Sequence, residues 1–301
     1  MGALDDRVAV ITGAGRGLGR EHALLFAAEG AKVVVNDLGG GPDGSGSDAT
    51  PAQQVVEEIR AAGGQAVANS DDITSAEGAD RLVQQAIDEF GALHVLVNNA
   101  GILRDRTIVN MTDAEWDDVI RVHLRGHFMP TRAAARYWRE QSKAGSTLRP
   151  SLINTTSTSG LFSNPGQANY GAAKTGIATL TIIAQRELGR YGVKANAIAP
   201  AARTRLTLAT PGIPDTIAKT PEEGFDSMDP ANVSPFVAYL ATAGCPIQGR
   251  VFFVAGGGIH LFQPFAIIDS IANDGKWTVA ELEEKAARLA DVPFDLGRIQ
   301  L

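Results

Sequence analysis

TGAGRGLG, residues 12–19, follows the β-branched apolar run 8–12 and opens a stretch whose apolar residues recur at helical spacing. A strand, a glycine turn and a helix in that order give a glycine pattern the meaning of a phosphate-binding turn. Gly13, Gly17 and Gly19 let the backbone turn tightly and bring amide N–H groups, with the helix N-terminus, against a pyrophosphate. Gly15, Arg16 and Leu18 belong to the same contact set. Asp37 ends the second apolar run, where a carboxylate accepts hydrogen bonds from adenosine ribose hydroxyls and repels a 2′-phosphate. The cofactor expected is therefore NAD. Arg16 pulls the other way, because a guanidinium in the glycine turn pairs readily with such a phosphate.

Outward from this turn, short β-branched runs alternate with amphipathic helical stretches up to about residue 254, the rhythm of βαβ units and a parallel sheet. Strands are predicted over 8–12, 32–36, 65–68, 93–98, 152–155, 195–198 and 251–254, and helices over 17–29, 51–62, 75–90, 113–141, 168–191 and 231–241. Thr112 with Glu115, and Thr278 with Glu281, read as capping boxes. The fold expected is α/β: a Rossmann-like, doubly wound, seven-stranded parallel sheet with helices on both faces. Residues 1–260 form that domain, and 261–301 a C-terminal appendage with a helix over 279–289 that lines the substrate pocket or a subunit contact. Residues 39–50 read as a flexible loop near the cofactor, 142–150 as a surface excursion, and 207–229 as a substrate lid or an ordinary surface loop.

Asp72 and Ile73 follow the third strand at its carboxyl edge, where a carboxylate and a backbone amide suit an adenine edge; a solvated turn is the plain alternative. NNAG, residues 98–101, ends the fourth strand: Asn98 suits both strand bridging and ribose binding, and Ala100 and Gly101 let the backbone approach the ribose. Tyr170 and Lys174 are four residues apart, so on a helix they share a face, and Ser157 lies thirteen residues before the tyrosine. An ammonium and a cationic nicotinamide together lower a phenol's pKa from its usual value near 10 toward neutrality, a shift of about 4 kcal/mol. A serine at a strand end then holds the substrate oxygen.

The formal charge of −7 and the absence of a basic run argue against nucleic acid or an acidic membrane surface as partner. A single cysteine, Cys245, excludes an intrachain disulfide framework and fits a reducing compartment. No apolar run reaches the length of a membrane span and MGALDDRVAV has no signal-peptide pattern, so a cytoplasmic protein is expected. The five histidines have no zinc-ligand spacing, and no metal is expected.

Through TGAGRGLG, NNAG, Ser157 and YGAAK in this order, residues 5–260 resemble the short-chain dehydrogenase/reductase family. VVVNDLGG, NNAGILRDR, VHLRGHF, STSG and GQANYGAAK are similar to a narrower group, the hydroxyacyl-CoA dehydrogenase part of type 2 peroxisomal multifunctional enzymes and related hydroxysteroid dehydrogenases. The resemblance implies that Ser157 positions the substrate oxygen, Tyr170 is the general acid–base, and Lys174 binds the nicotinamide ribose and favours tyrosinate. It puts His123 where the family usually carries an asparagine that supports a relay water; His123 either does the same or is a satisfied buried histidine. In IAPAARTRLT, Pro200 is retained, Ala201 replaces a glycine, and Thr204 becomes a contact for the nicotinamide carboxamide or a phosphate. The implied activity is NAD-dependent alcohol–ketone interconversion on a lipid, a 3-hydroxyacyl-CoA first and a steroid second, in a stand-alone homodimer or homotetramer. A non-catalytic dinucleotide-binding scaffold is the rival from another class.

Overall fold

Side chains along β1 (Val8–Thr12) point alternately to two different cores. Ala9 and Ile11 join Val33, Val35, Val97, Ile153 and Ile198 on one face, and Val8 and Val10 join Val34, Leu96 and Leu152 on the other. Because both faces are covered, the strands read as continuous apolar runs. The molecule is described from a computed structural model, which covers residues 2–209, 215–263 and 265–292. From β1 the chain continues through α1 (Gly17–Ala28), β2 (Lys32–Asn36), α2 (Thr50–Ala61), β3 (Gln65–Asn69), α3 (Ala76–Phe90) and β4 (Val95–Asn98). It goes on through α4 (Asp113–Ile120), α5 (Gly126–Lys143), β5 (Ser151–Thr155), α6 (Thr158–Leu161), α7 (Ala168–Leu188) and β6 (Lys194–Ala201). α8 (Arg205–Ala209), α9 (Asp215–Ala218), α10 (Ser234–Ala241), β7 (Val251–Ala255) and β8 (Gly258–Leu261) complete this unit. α1, α2 and α10 supply Phe26, Val55, Ile59, Val237 and Leu240 to one core; α3, α5 and α7 supply Leu82, Met129, Trp138 and Ala184 to the other. Burying each of the larger aliphatic side chains stabilises the fold by about 1.5–3 kcal/mol. Trp138 is fully buried, and its Nε1 donates to the Leu93 carbonyl at 2.8 Å, so its one polar atom is satisfied.

The sheet order is β3-β2-β1-β4-β5-β6-β7-β8, parallel throughout except for β8, which runs antiparallel to β7. The chain winds outward from β1 to β3, then returns to β4 on the other side of β1 and winds the opposite way. That reversal opens a crevice at the carboxyl ends of β1 and β4, where doubly wound sheets take their ligands.

Among the described residues eight strands are present where the sequence predicts seven: β8 is four residues long and mostly exposed, so no buried apolar run announces it. The single helix predicted over 113–141 is interrupted by a π-turn, Arg121–Arg125, in which the Gly126 N–H reaches back to the Arg121 carbonyl. Both capping boxes form, at Thr112 with Glu115 and at Thr278 with Glu281. The 39–50 loop has internal structure: Gly41 N donates to the Ser45 carbonyl, Asp48 N to Leu38, and Leu103 N to Pro42. In the predicted lid, residues 210–214 lie outside the described residues. The remainder is anchored by an ion pair between Arg203 and Asp226 and by Arg203 N donating to the Met228 carbonyl.

The chain divides into two units, Met1–Leu261 and Phe262–Leu301. The second carries α11 (Val279–Lys285), with the Lys285 ammonium 5.4 Å from the centre of the Trp277 ring. Among the described residues no helix is long and apolar enough to cross a membrane.

Candidate active site

At the crevice, Gly13 takes φ +63°, and a Cβ there would lie 2.7 Å from Ala100 Cα, so only glycine lets the turn after β1 pass beneath β4. Asn99 fastens the two: its side-chain amide donates to the carbonyls of Thr12 and Gly13, each at 3.1 Å, and its backbone N–H to Thr12 Oγ1 at 3.0 Å. Sequence reasoning singled out Asn98 and passed over Asn99. Asn98 is wholly buried and bridges strands and helix, donating to Asn154 Oδ1 at 2.9 Å and Thr131 Oγ1 at 3.0 Å.

The turn delivers α1 with Arg16 at its N-cap, which offers no side-chain acceptor, and no acidic residue stands in the first turn. Its first amides are therefore open to an anion. Asp37 faces them: Oδ2 accepts from Gly15 N at 2.7 Å and Oδ1 from Gly39 N at 2.7 Å. Thr204 lies over the turn, its methyl 3.6 Å from where a Cβ on Gly17 would be, and its Oγ1 is 3.0 Å from Thr207 Oγ1. Pro200 lies inside β6, paired with Val254 of β7. Asp72 accepts from Thr74 N at 2.8 Å in a local turn, and the Ile73 side chain is buried in the core beside α5. Glycine turn, uncapped helix and a carboxylate at the end of β2 fit a dinucleotide. Among the described residues no three His, Cys, Asp or Glu side chains gather as a metal would require.

Across the crevice, β5 and α7 bring Ser157, Tyr170 and Lys174 together. Ser157 is extended, caps α6, and accepts from Ser159 N at 3.1 Å. The neighbouring hydroxyls are engaged elsewhere: Thr156 Oγ1 donates to the Lys174 carbonyl at 2.6 Å, and Ser159 Oγ accepts from Asn164 at 3.1 Å. Lys174 is 2% exposed; its Nζ donates to the Thr155 carbonyl at 2.7 Å and lies 5.4 Å from the centre of the Tyr170 ring. The i, i+4 spacing therefore puts the two on one face, as predicted.

Their electrostatics differ from the sequence expectation. Burial pushes the Tyr170 phenol up to about 12, a hydrogen bond with Ser157 opposing and the Asp105 carboxylate adding to the rise. Burial also brings the Lys174 ammonium down to about 7. Both charged forms lose water here, and loss of water disfavours charge whichever its sign. Lowering the phenol therefore takes positive charge beyond what the side chains themselves provide.

His123 comes from the π-turn. Its ring lies edge-on to Tyr170, centres 5.0 Å apart at 89°, and its Nε2 is 2.7 Å from the Ile102 carbonyl. A Cβ on Gly101 would lie 2.3 Å from the His123 ring, so that glycine makes room for it. Burial first, then the Lys174 charge, holds His123 well below the usual histidine range, so the ring is neutral. Its Nδ1 is buried with no hydrogen-bond partner; Asn98 Oδ1 and Thr155 Oγ1 are in the same condition. Sequence reasoning did not single out His127, Thr155 or Asp105, which become neighbours of the site only through long-range packing.

Residues 7–210 match the short chain dehydrogenase family model. Hydroxyacyl-CoA dehydrogenase ChsB1 of Mycobacterium tuberculosis is 46% identical over 288 residues, 93% of this chain and 87% of that protein. Mouse peroxisomal multifunctional enzyme type 2 is 44% identical over 255 residues, 85% of this chain but 32% of the longer enzyme. The crystal structure of a short chain dehydrogenase from Mycobacterium avium superposes with a TM-score of 0.85 at 48% identity, covering 96% of both chains. Members of this family typically bind NAD or NADP. The chain belongs to the short chain dehydrogenase family and is an oxidoreductase.

Proposed function

We propose that the protein is an NAD-dependent dehydrogenase that interconverts the secondary alcohol of a 3-hydroxyacyl-CoA, in the (R) configuration, and the corresponding ketone. The observation that carries this reading is Ser157, Tyr170 and Lys174 gathered at the crevice mouth, with Lys174 held under the phenol. The names of the relatives at 46% and 44% identity support the acyl-CoA substrate, and Asp37 beside the glycine turn supports NAD over NADP.

When bound, the dinucleotide supplies a nicotinamide carbon that accepts or returns a hydride. Ser157 donates to the substrate oxygen. Tyr170 takes the hydroxyl proton during oxidation and returns it during reduction. Lys174, its Nζ 5.4 Å from the centre of the Tyr170 ring, reaches the nicotinamide ribose and, when charged, favours the tyrosinate. His123, its ring edge-on to Tyr170, supports a water that carries the proton onward. Gly13, Gly15, Gly17 and Gly19, with Arg16 and Leu18, receive the pyrophosphate. Asp72, Ile73, Asn98, Ala100, Gly101, Pro200 and Thr204 complete the cofactor's surroundings.

The protein assembles as a homodimer or homotetramer through α4, α5 and α7, whose outward faces carry Trp116, Phe128 and Ile183, 40%, 42% and 45% exposed. The buried free thiol of Cys245 fits a reducing cytoplasm.

The test follows NADH formation with (R)- and (S)-3-hydroxyacyl-CoA and with hydroxysteroids, repeated with NADP and with Tyr170→Phe. Turnover of the (R)-acyl-CoA that the Phe variant loses by at least about 10²-fold supports the reading. Steroid-only turnover replaces the substrate, and dinucleotide binding without turnover of any alcohol makes the protein a scaffold.

A further inference from the structure

The loop after β4 is laced to the first turn of α7. Arg106 N donates to the Gly166 carbonyl at 2.9 Å, Asn169 Nδ2 to the carbonyls of Arg104 and Glu115 at 2.9 and 3.0 Å, and Asn169 Oδ1 accepts from Tyr170 N at 2.7 Å. Asp105 is the acidic member of this clasp: its Oδ2 accepts from Gln167 Nε2 at 2.8 Å, three residues before Tyr170. Its Oδ1 is buried with no hydrogen-bond partner. The cations beside it are committed elsewhere, Arg104 to Asp118 at 3.1 Å and Arg106 to Glu115 at 3.0 Å. Asp105 is thus a carboxyl with one buried, unbonded oxygen and, among the described residues, no ion-pair partner, and it lines a cavity of about 460 Å³ with Arg106, Thr107, Asn110, Thr112 and Glu115. Such an arrangement costs stability, because the buried oxygen has lost water without gaining a donor.

We infer that Asp105 is a positioning residue for Tyr170: through Gln167 it clasps the turn that carries the phenol, and its charge, so placed, raises the pH at which the phenol gives up its proton. The inference rests on Tyr170 being the proton-transfer group. The groups around the phenol are Lys174 from its own helix, Ser157 from the end of β5 and the neutral His123 from the π-turn, with Asp105 from the loop after β4 bonded to Gln167 three residues before it. Among them Asp105 is the anion, and its charge adds to the rise that burial imposes on Tyr170. Burial in turn lifts the Asp105 carboxyl above the usual range, against the Gln167 hydrogen bond.

The test compares the pH dependence of alcohol oxidation in the wild-type enzyme with that in Asp105→Asn, which preserves shape and an acceptor for Gln167 while removing the charge. The rising limb is expected to move about one pH unit toward acid, so that well below the wild-type midpoint the variant turns over about ten-fold faster relative to its own plateau. Asp105→Ser, which does not fill the same volume, is expected to move the limb the same way. Gln167→Ala keeps the charge and loosens the clasp; it is expected to lower kcat with the limb in place. A limb unmoved in both Asp105 variants overturns the inference, as does one that moves equally in Gln167→Ala. An ultraviolet titration of tyrosinate in the NAD-bound enzyme, taken as the difference from Tyr170→Phe, reads the same shift without any substrate. A Tyr170 step unmoved by Asp105→Asn refutes the inference even if the proposed substrate is wrong, and a shifted step upholds it.

Discussion

Each oxygen of the Asp37 carboxylate already holds a backbone amide, Gly15 on one side and Gly39 on the other. One side chain therefore ties the glycine turn to the loop after β2 and presents negative charge where an adenosine ribose is expected. Carboxylate oxygens have capacity for further donors, so the two roles coexist. Asp37→Ala is accordingly expected to do more than relax selectivity. NAD affinity should fall by about ten-fold, the loss of about 1.4 kcal/mol, because a charge-assisted hydrogen bond to ribose disappears and the turn loses its tether. NADP affinity should fall less, since repulsion of its 2′-phosphate disappears at the same time. Fluorescence titration with each dinucleotide gives the ratio, and an unchanged NAD/NADP ratio would transfer control of selectivity to Arg16. That guanidinium stands at the α1 N-cap, with its charge felt by Asp48 and Arg205.

The helices show which parts of the fold were legible in the sequence. Periodicity placed α1, α3 and α7 within a few residues, and threonine with glutamate three positions on marked both capping boxes, because these signals lie in neighbouring residues. The π-turn between α4 and α5 left no comparable trace: one extra residue in a turn barely disturbs an apolar repeat, yet it carries His123 to the phenol. The site divides the same way. Ser157, Tyr170 and Lys174 were readable from spacing, whereas Asn99 on the glycine turn and Asp105 beside Gln167 depend on contacts spanning 86 and 62 residues. The outward faces of α4, α5 and α7 carry an expectation of their own, because exposed aromatic and branched residues on adjoining helices are the material of an interface. Phe128→Asp combined with Ile183→Asp should reduce the mass measured by light scattering to that of a 31.6 kDa chain while α-helical circular dichroism is retained. A wild-type protein already at that mass, or a variant whose assembly is unchanged, would remove these helices as the interface.

At the scale of the whole molecule, buried histidines make the fold sensitive to acid. Burial brings His22 down to about 3, His127 to about 3 and His94 to about 4, with Arg7 adding to the last. The packing explains why these rings resist charging: His94 Nδ1 accepts from Val8 N at 3.1 Å, a role an imidazolium lacks, and His22 Nδ1 is 2.8 Å from Ser234 Oγ, joining α1 to α10. In the unfolded chain each titrates near 6.5. Between about pH 6.5 and 4 the unfolded state therefore binds protons that the folded state refuses, and stability falls as pH falls, by up to about 1.4 kcal/mol per unit for each ring. Lys174, about 7 when folded against about 10.4 when unfolded, has the same sign at higher pH, its contribution rising from about 7 to 10. Tyr170 opposes at the alkaline end: its folded value of about 12 exceeds the unfolded value near 10, so its contribution is lost above about pH 10. Urea midpoints should consequently climb from pH 5 to pH 8, and His22→Gln, which removes one titrating ring while keeping a polar partner for Ser234, should flatten the acid side of that climb by about 1 kcal/mol per unit. A wild-type midpoint that stays level across the range would mean that these rings are hydrated and titrate normally, and a His22→Gln slope equal to wild type would acquit His22 alone.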